Sequence, residues 1–381
     1  MRCLNVVLFA VLLLGPGSAF AQSRALASLS GLVYDQASGE PLMDVHVFLD
    51  QTMRGTVTNR DGRFHLPGLS PGAYTLVVSM IGFEVVQRQV VLSAGQEGAY
   101  RFGLKEAVIP LPEGLVTAEH PRLWRKRLKR FKTLFFGETQ NASSCELLNP
   151  EVLDFEEDEA SGRFAVYAAE PLQIVNRALG YEVEYHLRQF VARGEAILFD
   201  RRFTRFRELE PENDRERRRW LAERWRAYYG SFRHFVRALN REATTEEGFV
   251  MYEVPAIEPV YNPTLLKRIT DDVELFRPTS HSSQIILDFD FAEDPLATDY
   301  LLVEYVYEAE EDAFQTKYGV RRRAGSSMQV SWMALQGPTM VDLNGHMATA
   351  SLVLHGYWGW AERVAELLPN EFAMPRQAIH P

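Results

Sequence analysis

Cysteine is almost absent from this chain. Of its 381 residues only Cys3 and Cys145 are cysteines, and Cys3 lies in an N-terminal segment that we expect to be removed. The single remaining thiol cannot form an internal disulfide, which excludes the small secreted domains that depend on such bonds. Stability must therefore come from hydrophobic cores, and the length of the chain is ample for two domains.

Long hydrophobic runs are also missing. The N-terminus carries Arg2, nine apolar residues from Val6 to Leu14 and the motif Ala19-Phe20-Ala21, whereas a membrane-spanning helix needs about 20 apolar residues. This pattern predicts a signal peptide over residues 1–21, and the absence of Cys at Gln22 argues against a lipid anchor. We expect an exported protein without a membrane span, in the periplasm or at the outer cell surface, with peripheral membrane contact left open.

Positive charge is in deficit overall but concentrated locally. The chain has 41 basic and 51 acidic residues and a formal net charge of −10, which disfavours nucleic acid as a partner. Seven basic residues nevertheless fall between Arg122 and Lys132. Contact with an anionic surface is therefore expected from this segment, if from any.

Residues 30–104 alternate between short strands and turn signals. The predicted strands are Gly31–Tyr34, Val45–Leu49, Gly55–Thr58, Arg63–Leu66, Tyr74–Met80, Glu84–Val91 and Tyr100–Leu104. Asp61-Gly62 stands where a hairpin needs positive φ, and Pro71-Gly72 indicates a second turn. In the fifth strand Leu76 and Val78 fall on one face and Val77 on the other, which is typical of a half-buried strand. Short strands separated by turns predict a β-sandwich.

A series of motifs in this stretch carries a family resemblance. In order they read Ser30-Gly-Leu-Val-Tyr-Asp, Gly39-Glu-Pro-Leu, Val45-His-Val-Phe-Leu, Gly55-Thr-Val-Thr, Asp61-Gly-Arg-Phe, Leu69-Ser-Pro-Gly-Ala-Tyr and Ile81-Gly-Phe. Residues 28–105 thereby resemble the carboxypeptidase regulatory-like domain, which implies a transthyretin-like, Ig-like sandwich of seven strands. We predict a mainly β protein with this sandwich, a linker over 106–121, an α+β domain over 122–369 and a C-terminal tail over 370–381.

The family name does not bring a catalytic site with it. A zinc carboxypeptidase needs a His followed three residues later by Glu, together with a distant second His. None of the nine histidines has Glu at that position; His186 is followed by Gln189 and His234 by Arg237. We therefore expect no peptidase activity of this type, no bound metal and no cofactor.

The remainder of the chain resembles the C-terminal part of uncharacterised exported bacterial proteins that carry the same module. The resemblance is carried by the sequences SSCELLNPEVL, PLQIVNRALGYEVEY, AYYGSFRHFVRAL and GYWGWAERVAELLP, and it implies no activity. Tyr181–Leu187 and Glu195–Phe206 are predicted to form a hairpin. Asn213–Asn240 is predicted as one helix that begins with a capping box, and Gly230-Ser231 inside it indicates a kink or a close contact. Strands are predicted again at Phe249–Val254, Gln284–Phe291, Tyr300–Glu308, Met328–Leu335, Thr339–Leu343 and Ala350–His355.

The basic segment falls on a helix predicted from Pro121 to Gly137. Its apolar stripe is Trp124, Leu128, Phe131 and Phe135, and a separate face carries Arg122, Arg125, Lys129 and Lys132. One interpretation packs the stripe on the second domain and leaves the basic face in solvent. The other makes Arg125, Lys129 and Lys132 contacts to an anionic lipid or lipopolysaccharide surface.

Two functions follow as hypotheses. The favoured one is a non-enzymatic, exported cell-envelope protein that binds a partner protein or a glycan. The alternative is a hydrolase with a site in the second domain that uses some of His186, His234, Tyr181 and Cys145, and a deep pocket gathering them would support it. A calcium site at Asp288, Asp290 and Asp294 is the weaker explanation of those carboxylates; a solvated outer strand face is the stronger.

Overall fold

The seven N-terminal strands form two sheets that face each other. The computed structural model describes residues 25–107, 121–194, 196–256, 267–269, 275–279, 284–289, 298–319, 328–335, 337–345 and 352–372. The strands are β1 (Ala27–Asp35), β2 (His46–Leu49), β3 (Gly55–Val57), β4 (Arg63–Leu69), β5 (Gly72–Ser79), β6 (Val86–Leu92) and β7 (Glu97–Leu104). One sheet has the order β4-β1-β7 and the other β3-β2-β5-β6. The predicted sandwich is confirmed, whereas the predicted signal peptide and residues 108–120 of the predicted linker lie outside the described residues.

Apolar side chains from both sheets fill the space between them. Leu29 and Val33 of β1 and Leu76 and Val78 of β5 are fully buried, and Phe102 of β7 is nearly so. Because side chains alternate along a strand, every second residue of each strand reaches this core. The sandwich therefore has a hydrophobic core of its own.

Both predicted turns are present, but neither closes a hairpin. Gly62 has φ +69°, and its N–H donates to the Asn59 carbonyl at 2.9 Å. This turn joins β3 to β4, and Ser70-Pro71 joins β4 to β5, so each connects strands of opposite sheets. The hairpin prediction was wrong because a glycine turn fixes only the local chain reversal, while the buried faces decide which strands pair.

Helix α1 packs on a six-stranded antiparallel sheet. The elements are α1 (Pro121–Phe136), β8 (Cys145–Leu147), β9 (Leu153–Asp158), β10 (Arg163–Ala168), β11 (Leu172–Asn176), β12 (Tyr181–Arg193) and β13 (Ala196–Glu208). The sheet runs β8-β11-β12-β10-β9, with β13 paired to β12. The hairpin predicted from the sequence is the β12–β13 pair. Short 3-10 turns at Gln140–Ser144 and Pro150–Val152 flank β8.

Two helices, α2 (Asp214–Tyr228) and α3 (Phe232–Asn240), replace the single helix predicted over Asn213–Asn240. Gly230 has φ +71°, and Ser231 begins a new helix by accepting the His234 N–H at 3.1 Å. A left-handed residue followed by an N-cap serine ends one helix and starts another. The prediction was wrong because the apolar positions keep helical spacing across the break, and both helices bury them.

Two further sheets lie in the described part of the second domain. Its remaining elements are β14 (Phe249–Ala256), β15 (Lys267–Ile269), β16 (Phe276–Pro278), β17 (Gln284–Leu287), β18 (Thr298–Tyr305), α4 (Asp312–Tyr318), β19 (Gln329–Leu335), β20 (Thr339–Asp342), β21 (Leu352–His355), α5 (Gly356–Ala361) and a 3-10 turn at Val364–Glu366. The sheet orders are β15-β14-β18-β19-β21 and β16-β17-β20. Phe235 and Leu239 of α3 are buried in the core between them. Among the helices of the described ranges, none is long and apolar enough to cross a membrane.

The sandwich is joined to the second domain by backbone hydrogen bonds. The Gln51 N–H donates to the Thr204 carbonyl at 2.6 Å, and the Phe206 N–H donates to the Thr52 carbonyl at 3.0 Å. The loop after β2 therefore pairs with β13. Val77, expected on the outer face of its strand, is buried with Phe48 and Phe203, because β13 covers that face of the sandwich.

Residues 368–372 connect α3 to the sandwich. Arg233 of α3 is 9% exposed and donates to the carbonyls of Leu368, Pro369, Asn370 and Phe372. The Asn370 N–H donates to the Gln51 carbonyl at 2.8 Å, and Glu371 accepts the Met53 N–H at 3.0 Å. The start of the segment expected as a tail is therefore built into the fold, while residues 373–381 lie outside the described part.

Candidate functional site

The apolar stripe of α1 belongs to the core of the second domain. Phe131 and Phe135 are fully buried, with ring centroids 5.4 Å from Phe190 and 5.1 Å from Tyr185, respectively. Trp124 and Leu128 are partly buried against the same cluster. The stripe cannot then enter a lipid surface while the domain is folded, which supports the first interpretation of this helix.

The opposite face of α1 carries basic residues that the fold does not use. Arg125 and Lys129 are exposed and Lys132 is partly exposed. In the described part of the chain these three side chains, with Lys126, form no ion pair. Arg127 and Arg130 behave differently, since both pair with Glu157. The structure therefore separates anchored arginines from a free basic face, defined here as Arg125, Lys126, Lys129 and Lys132.

Cys145 lies on β8 and is partly buried. Its Sγ contacts the Asn141 carbonyl at 3.6 Å. Burial raises the pKa of the thiol to about 12, and the nearby Glu366 carboxylate adds to the rise. Because the thiolate is the nucleophile, a thiol that stays protonated at neutral pH is a poor one.

The other three residues suggested for a hydrolase lie in separate structural settings. His186 Nε2 is 2.6 Å from Glu184 Oε1, and its ring centroid is 3.6 Å from that of Phe203 at the contact with the sandwich. Tyr181 is buried beneath the Arg224 guanidinium, 4.0 Å from the ring centroid. Burial raises the pKa of Tyr181 to about 12.

His234 supports the break between α2 and α3. It is fully buried, and its Nδ1 accepts the Gly230 N–H at 3.1 Å. The proton must then be on Nε2, which donates to Glu247 at 2.9 Å. His186, His234, Tyr181 and Cys145 line neither the cleft beside α2, α3 and α5 nor the shallow one beside α4, so neither cleft assembles the constellation required by the hydrolase hypothesis.

Of the three carboxylates suggested for a calcium site, the structure describes one, that of Asp288. Asp288 pairs with Arg277, while Asp290 and Asp294 lie outside the described residues. Ile285, Leu287 and Phe289 are buried, as the predicted alternation requires. An ion-paired Asp288 at the end of the strand agrees with the alternative of a polar outer face.

A cleft rich in glutamate lies where α2, α3, α5 and the loop after β18 meet. Its free interior is about 70 Å³. The polar lining consists of Thr139, Arg226, Tyr229, Ser231, Glu308, Glu311, Gln329, Tyr357, Glu362 and Glu366. Small-molecule sites usually occupy about 300–1,000 Å³. The cleft can thus take the head of one side chain but not a sugar ring.

Three of these glutamates hold structural elements together. Glu362 accepts the Phe232 N–H at 2.7 Å at the start of α3. Glu366 accepts from Thr139 and from Asn141, and Glu311 accepts the Gln140 N–H at 2.9 Å. Burial raises the pKa of all three carboxyls, and that of Glu366 to about 7.

Glu308 differs from its three neighbours because its side chain makes only a long polar contact among the described residues. Gln329 Nε2 lies 3.5 Å from its carboxylate, which is the outer limit of a hydrogen bond. Burial raises the pKa of Glu308 to about 7, although the positive charge of Arg226 opposes the rise. Glu308 is therefore the carboxylate of the cleft most available to an outside group.

Sequence reasoning missed this cleft. The signals that could have found it are Glu308 and Glu311 directly after an apolar strand, and Glu362 and Glu366 between the aromatic and leucine residues of the C-terminal motif. Carboxylates embedded in apolar sequence are candidates for burial, and buried carboxylates have raised pKa values. Only the fold shows that the two pairs face one cleft.

Comparison with protein families identifies the sandwich. Residues 28–105 match the family model of the carboxypeptidase regulatory-like domain, with the same boundaries as predicted from the motifs. The match covers the sandwich and does not extend to the second domain. Among curated proteins, no sequence matches the chain.

Several solved structures are similar in part. A type II cohesin-X-dockerin complex of Acetivibrio cellulolyticus is 19% identical over 19% of this chain and 51% of that chain, with a TM-score of 0.17. Catechol 1,2-dioxygenase of Pseudomonas arvilla C-1 is 14% identical over 24% and 56%, with a TM-score of 0.19. A protein of Bacteroides uniformis described as carbohydrate-binding is 8% identical over 42% and 58%, with a TM-score of 0.18. The matched part therefore spans 51% to 58% of these structures.

Proposed function

We propose that this protein is a non-enzymatic, exported cell-envelope protein that binds an anionic glycan of the envelope through the free basic face of α1. The observation that carries the proposal is that the residues of this helix fall into three groups: a buried apolar side, two ion-paired arginines and the free basic face. Its apolar side is buried in the domain core, and Arg127 and Arg130 are paired with Glu157. The free basic face has no such role, and basic residues grouped on one exposed helix face attract anions.

The buried stripe also shapes the mode of binding. Because Phe131 and Phe135 are committed to the core, the contact must be electrostatic rather than an insertion of apolar side chains. Charges near an anionic envelope surface contribute about 1 kcal/mol each and weaken with salt. Binding should thus be strong at low ionic strength and should fall steeply as salt is added.

The test measures binding of the full mature chain to immobilised lipopolysaccharide by surface plasmon resonance. Replacing Arg125, Lys129 and Lys132 with glutamine should weaken binding on the order of 100-fold at low salt, as expected for the loss of about 3 kcal/mol. A matched control replaces Arg60, Arg215 and Arg218, three exposed arginines on other surfaces, and should change binding less than about threefold. Equal losses in both variants, or no binding by the parent chain, would contradict the proposal.

The hydrolase alternative retains one specific observation in its favour. Glu308 has a pKa of about 7 in the glutamate cleft, a property typical of catalytic acids and bases. The free interior of about 70 Å³ argues against it, because a glycan or peptide substrate would not fit. Turnover of a glycoside and ester panel that disappears in Glu308→Gln would establish the alternative, and no turnover would remove it.

A further inference from the structure

The glutamate cleft is lined by more acidic than basic side chains. Four glutamates line it against one arginine, Arg226. That arginine is engaged elsewhere, since it donates to Gln140 at 2.7 Å and to Asn141 at 3.2 Å and pairs with Glu223. Arg226 therefore secures the turn at Gln140–Ser144 and leaves Glu308 without a close cationic partner. A group that enters the cleft meets a local excess of carboxylate.

Aromatic rings form the other part of the lining. Tyr229, Tyr357 and Trp358 all border the free space. The Trp358 indole N–H donates to the Gly230 carbonyl at 2.6 Å, which fixes the ring against the α2–α3 break. Aromatic faces beside carboxylates are a recurrent environment for organic ammonium groups, because both attract positive charge.

An unpaired acceptor points to the same chemistry independently. Gln329 is only 5% exposed, lines the cleft, and its Oε1 has no hydrogen-bond partner among the described residues. A buried carbonyl oxygen without a hydrogen bond destabilises the folded state. A ligand that brings N–H donors would recover that cost, whereas a ligand without donors would not.

The donor set and the size of the cleft narrow the ligand further. Within the described ranges no group of three or more His, Cys, Asp or Glu side chains is arranged to hold a metal ion. A free interior of about 70 Å³ suits one small cationic head. An ethanolamine phosphate headgroup is disfavoured as the ligand. Its phosphate lies two carbons from its ammonium and would be repelled by the carboxylates of the cleft.

We propose that the cleft binds the primary ammonium group of a lysine side chain from a partner protein. The ammonium would lie at Glu308 and donate to the Gln329 carbonyl oxygen, and the aliphatic stem of the lysine would leave between the aromatic walls. This site is separate from the basic face of α1. The protein thus has an anion-binding face and a cation-binding cleft on the same domain.

Such binding depends on pH in a defined direction. Glu308 must be ionised to attract the ammonium, and its pKa is about 7. The charged and titratable groups that line the cleft with it or face it are Arg226, Tyr229, Tyr305, Glu311, Tyr357, Glu362 and Glu366. Binding should therefore strengthen as pH rises from 6 to 8, while a lysine ammonium with a pKa of about 10.4 remains charged.

The experiment titrates the full mature chain at pH 8 and low salt with Nα-acetyl-lysine amide, methylammonium and tetramethylammonium, followed by isothermal calorimetry and by NMR of the ligand. The first two should bind saturably, and tetramethylammonium, which has no N–H donor, should bind at least about tenfold more weakly. Glycerophosphoethanolamine should also bind more weakly than the lysine amide. Equal affinities for methylammonium and tetramethylammonium, or for the lysine amide and glycerophosphoethanolamine, would overturn the proposal.

Variants test the assigned residue. Glu308→Gln should reduce affinity about tenfold or more and abolish its rise between pH 6 and 8. The variant should fold, because burial already favours the neutral carboxyl, and thermal melting verifies this. Glu246→Gln, at an exposed glutamate outside the cleft, should bind within about twofold of the parent chain. No saturable binding by the parent, or a folded Glu308→Gln variant with parental affinity, would refute the assignment.

Discussion

The sandwich and the second domain differ in what they bury. In the described part of the sandwich the buried polar residues are neutral: Gln51, Thr52 and Thr58. The second domain buries ionisable groups, namely Arg224, Arg233, His234, Glu304 and Glu310. The core of the sandwich is therefore apolar with a few neutral polar residues, whereas the core of the second domain contains ionisable side chains that need hydrogen-bond or ion-pair partners.

This difference indicates where function is to be sought. Burying a charged group costs free energy unless partners satisfy it, and a better-packed apolar core is often as stable. Arg233 fixes residues 368–372 through its carbonyl contacts, and Glu366 fixes the turn that begins at Gln140. The charged groups of the second domain thus position elements around the cleft, whereas the sandwich contacts β13 through backbone hydrogen bonds and the cluster of Phe48, Val77 and Phe203.

The largest effect is expected in the aromatic core beneath α1. Phe131→Ala removes a fully buried ring and should lower the free energy of unfolding of the second domain by about 3–5 kcal/mol. Urea denaturation followed by tryptophan fluorescence measures it, because all six tryptophans lie beyond the sandwich. Leu123→Ala on the same helix, where the side chain is 40% exposed, should cost below about 1 kcal/mol. A Phe131→Ala protein as stable as Leu123→Ala would show that α1 is not part of the core.

A smaller loss is expected from the buried arginine. Arg233→Met removes the donors to the carbonyls of residues 368–372 and should cost about 2–4 kcal/mol, because buried carbonyl oxygens are left unpaired. It should also increase amide hydrogen exchange at Met53 and Asn370, whose N–H groups donate to the Glu371 carboxylate and to the Gln51 carbonyl, respectively. The control Arg215→Met, at an exposed arginine, should change neither quantity. Unchanged exchange at Met53 and Asn370 would mean that the C-terminal segment does not support the sandwich.

The stability of the second domain should depend on pH through its buried glutamates. The pKa of Glu366 is raised from 4.5 to about 7 by burial, so between these values the folded state binds more protons than the unfolded state. Stability is then fully favoured below about pH 4.5 and falls as pH rises through 7, by up to about 3 kcal/mol. Glu366→Gln keeps an acceptor for Asn141 and should reduce this slope in urea titrations at pH 5, 6, 7 and 8, while Glu308, whose pKa is also raised to about 7, keeps its share. A slope that is unchanged in the variant would assign it to other groups.

The smallest effect concerns the sandwich, where backbone geometry rather than charge is at stake. Gly62 and Gly39 both have positive φ, but an added Cβ at Gly62 would lie 2.4 Å from the Val33 carbonyl oxygen, whereas at Gly39 no atom lies within 4 Å. Gly62→Ala should therefore cost about 1–2 kcal/mol more than Gly39→Ala, which bears only the left-handed backbone strain. Differential scanning calorimetry of both variants measures the difference. Equal melting temperatures would show that the loop at Gly62 shifts without cost.

The sandwich could be predicted in detail because its signals are local. Alternation places Leu76 and Val78 inside, and glycine and proline mark the chain reversals. Val77 escaped prediction, since its burial depends on Phe203 of the other domain. The pairing of the strands could not be predicted either, because the Asp61-Gly62 sequence is compatible both with a hairpin and with a crossover between sheets.

The second domain was predicted in outline, and its site was not. The stripe of α1 and the β12–β13 hairpin follow from periodicity. The α2–α3 break did not, because helical spacing continues across Gly230 and the decisive contact is the His234 ring accepting the Gly230 N–H. The cleft depends on residues as distant in sequence as Arg226, Glu308 and Glu366, and no local pattern brings these together.

We propose that a partner binds to the charged surface of the second domain and not to the sandwich. Lysine acetylation of the full chain, with and without lipopolysaccharide at low salt and read by mass spectrometry, distinguishes the two surfaces. Lys126, Lys129 and Lys132 should become protected, while Lys105 at the exposed end of the sandwich stays reactive. Protection of Lys105 with unchanged reactivity at the three helix lysines would contradict the account.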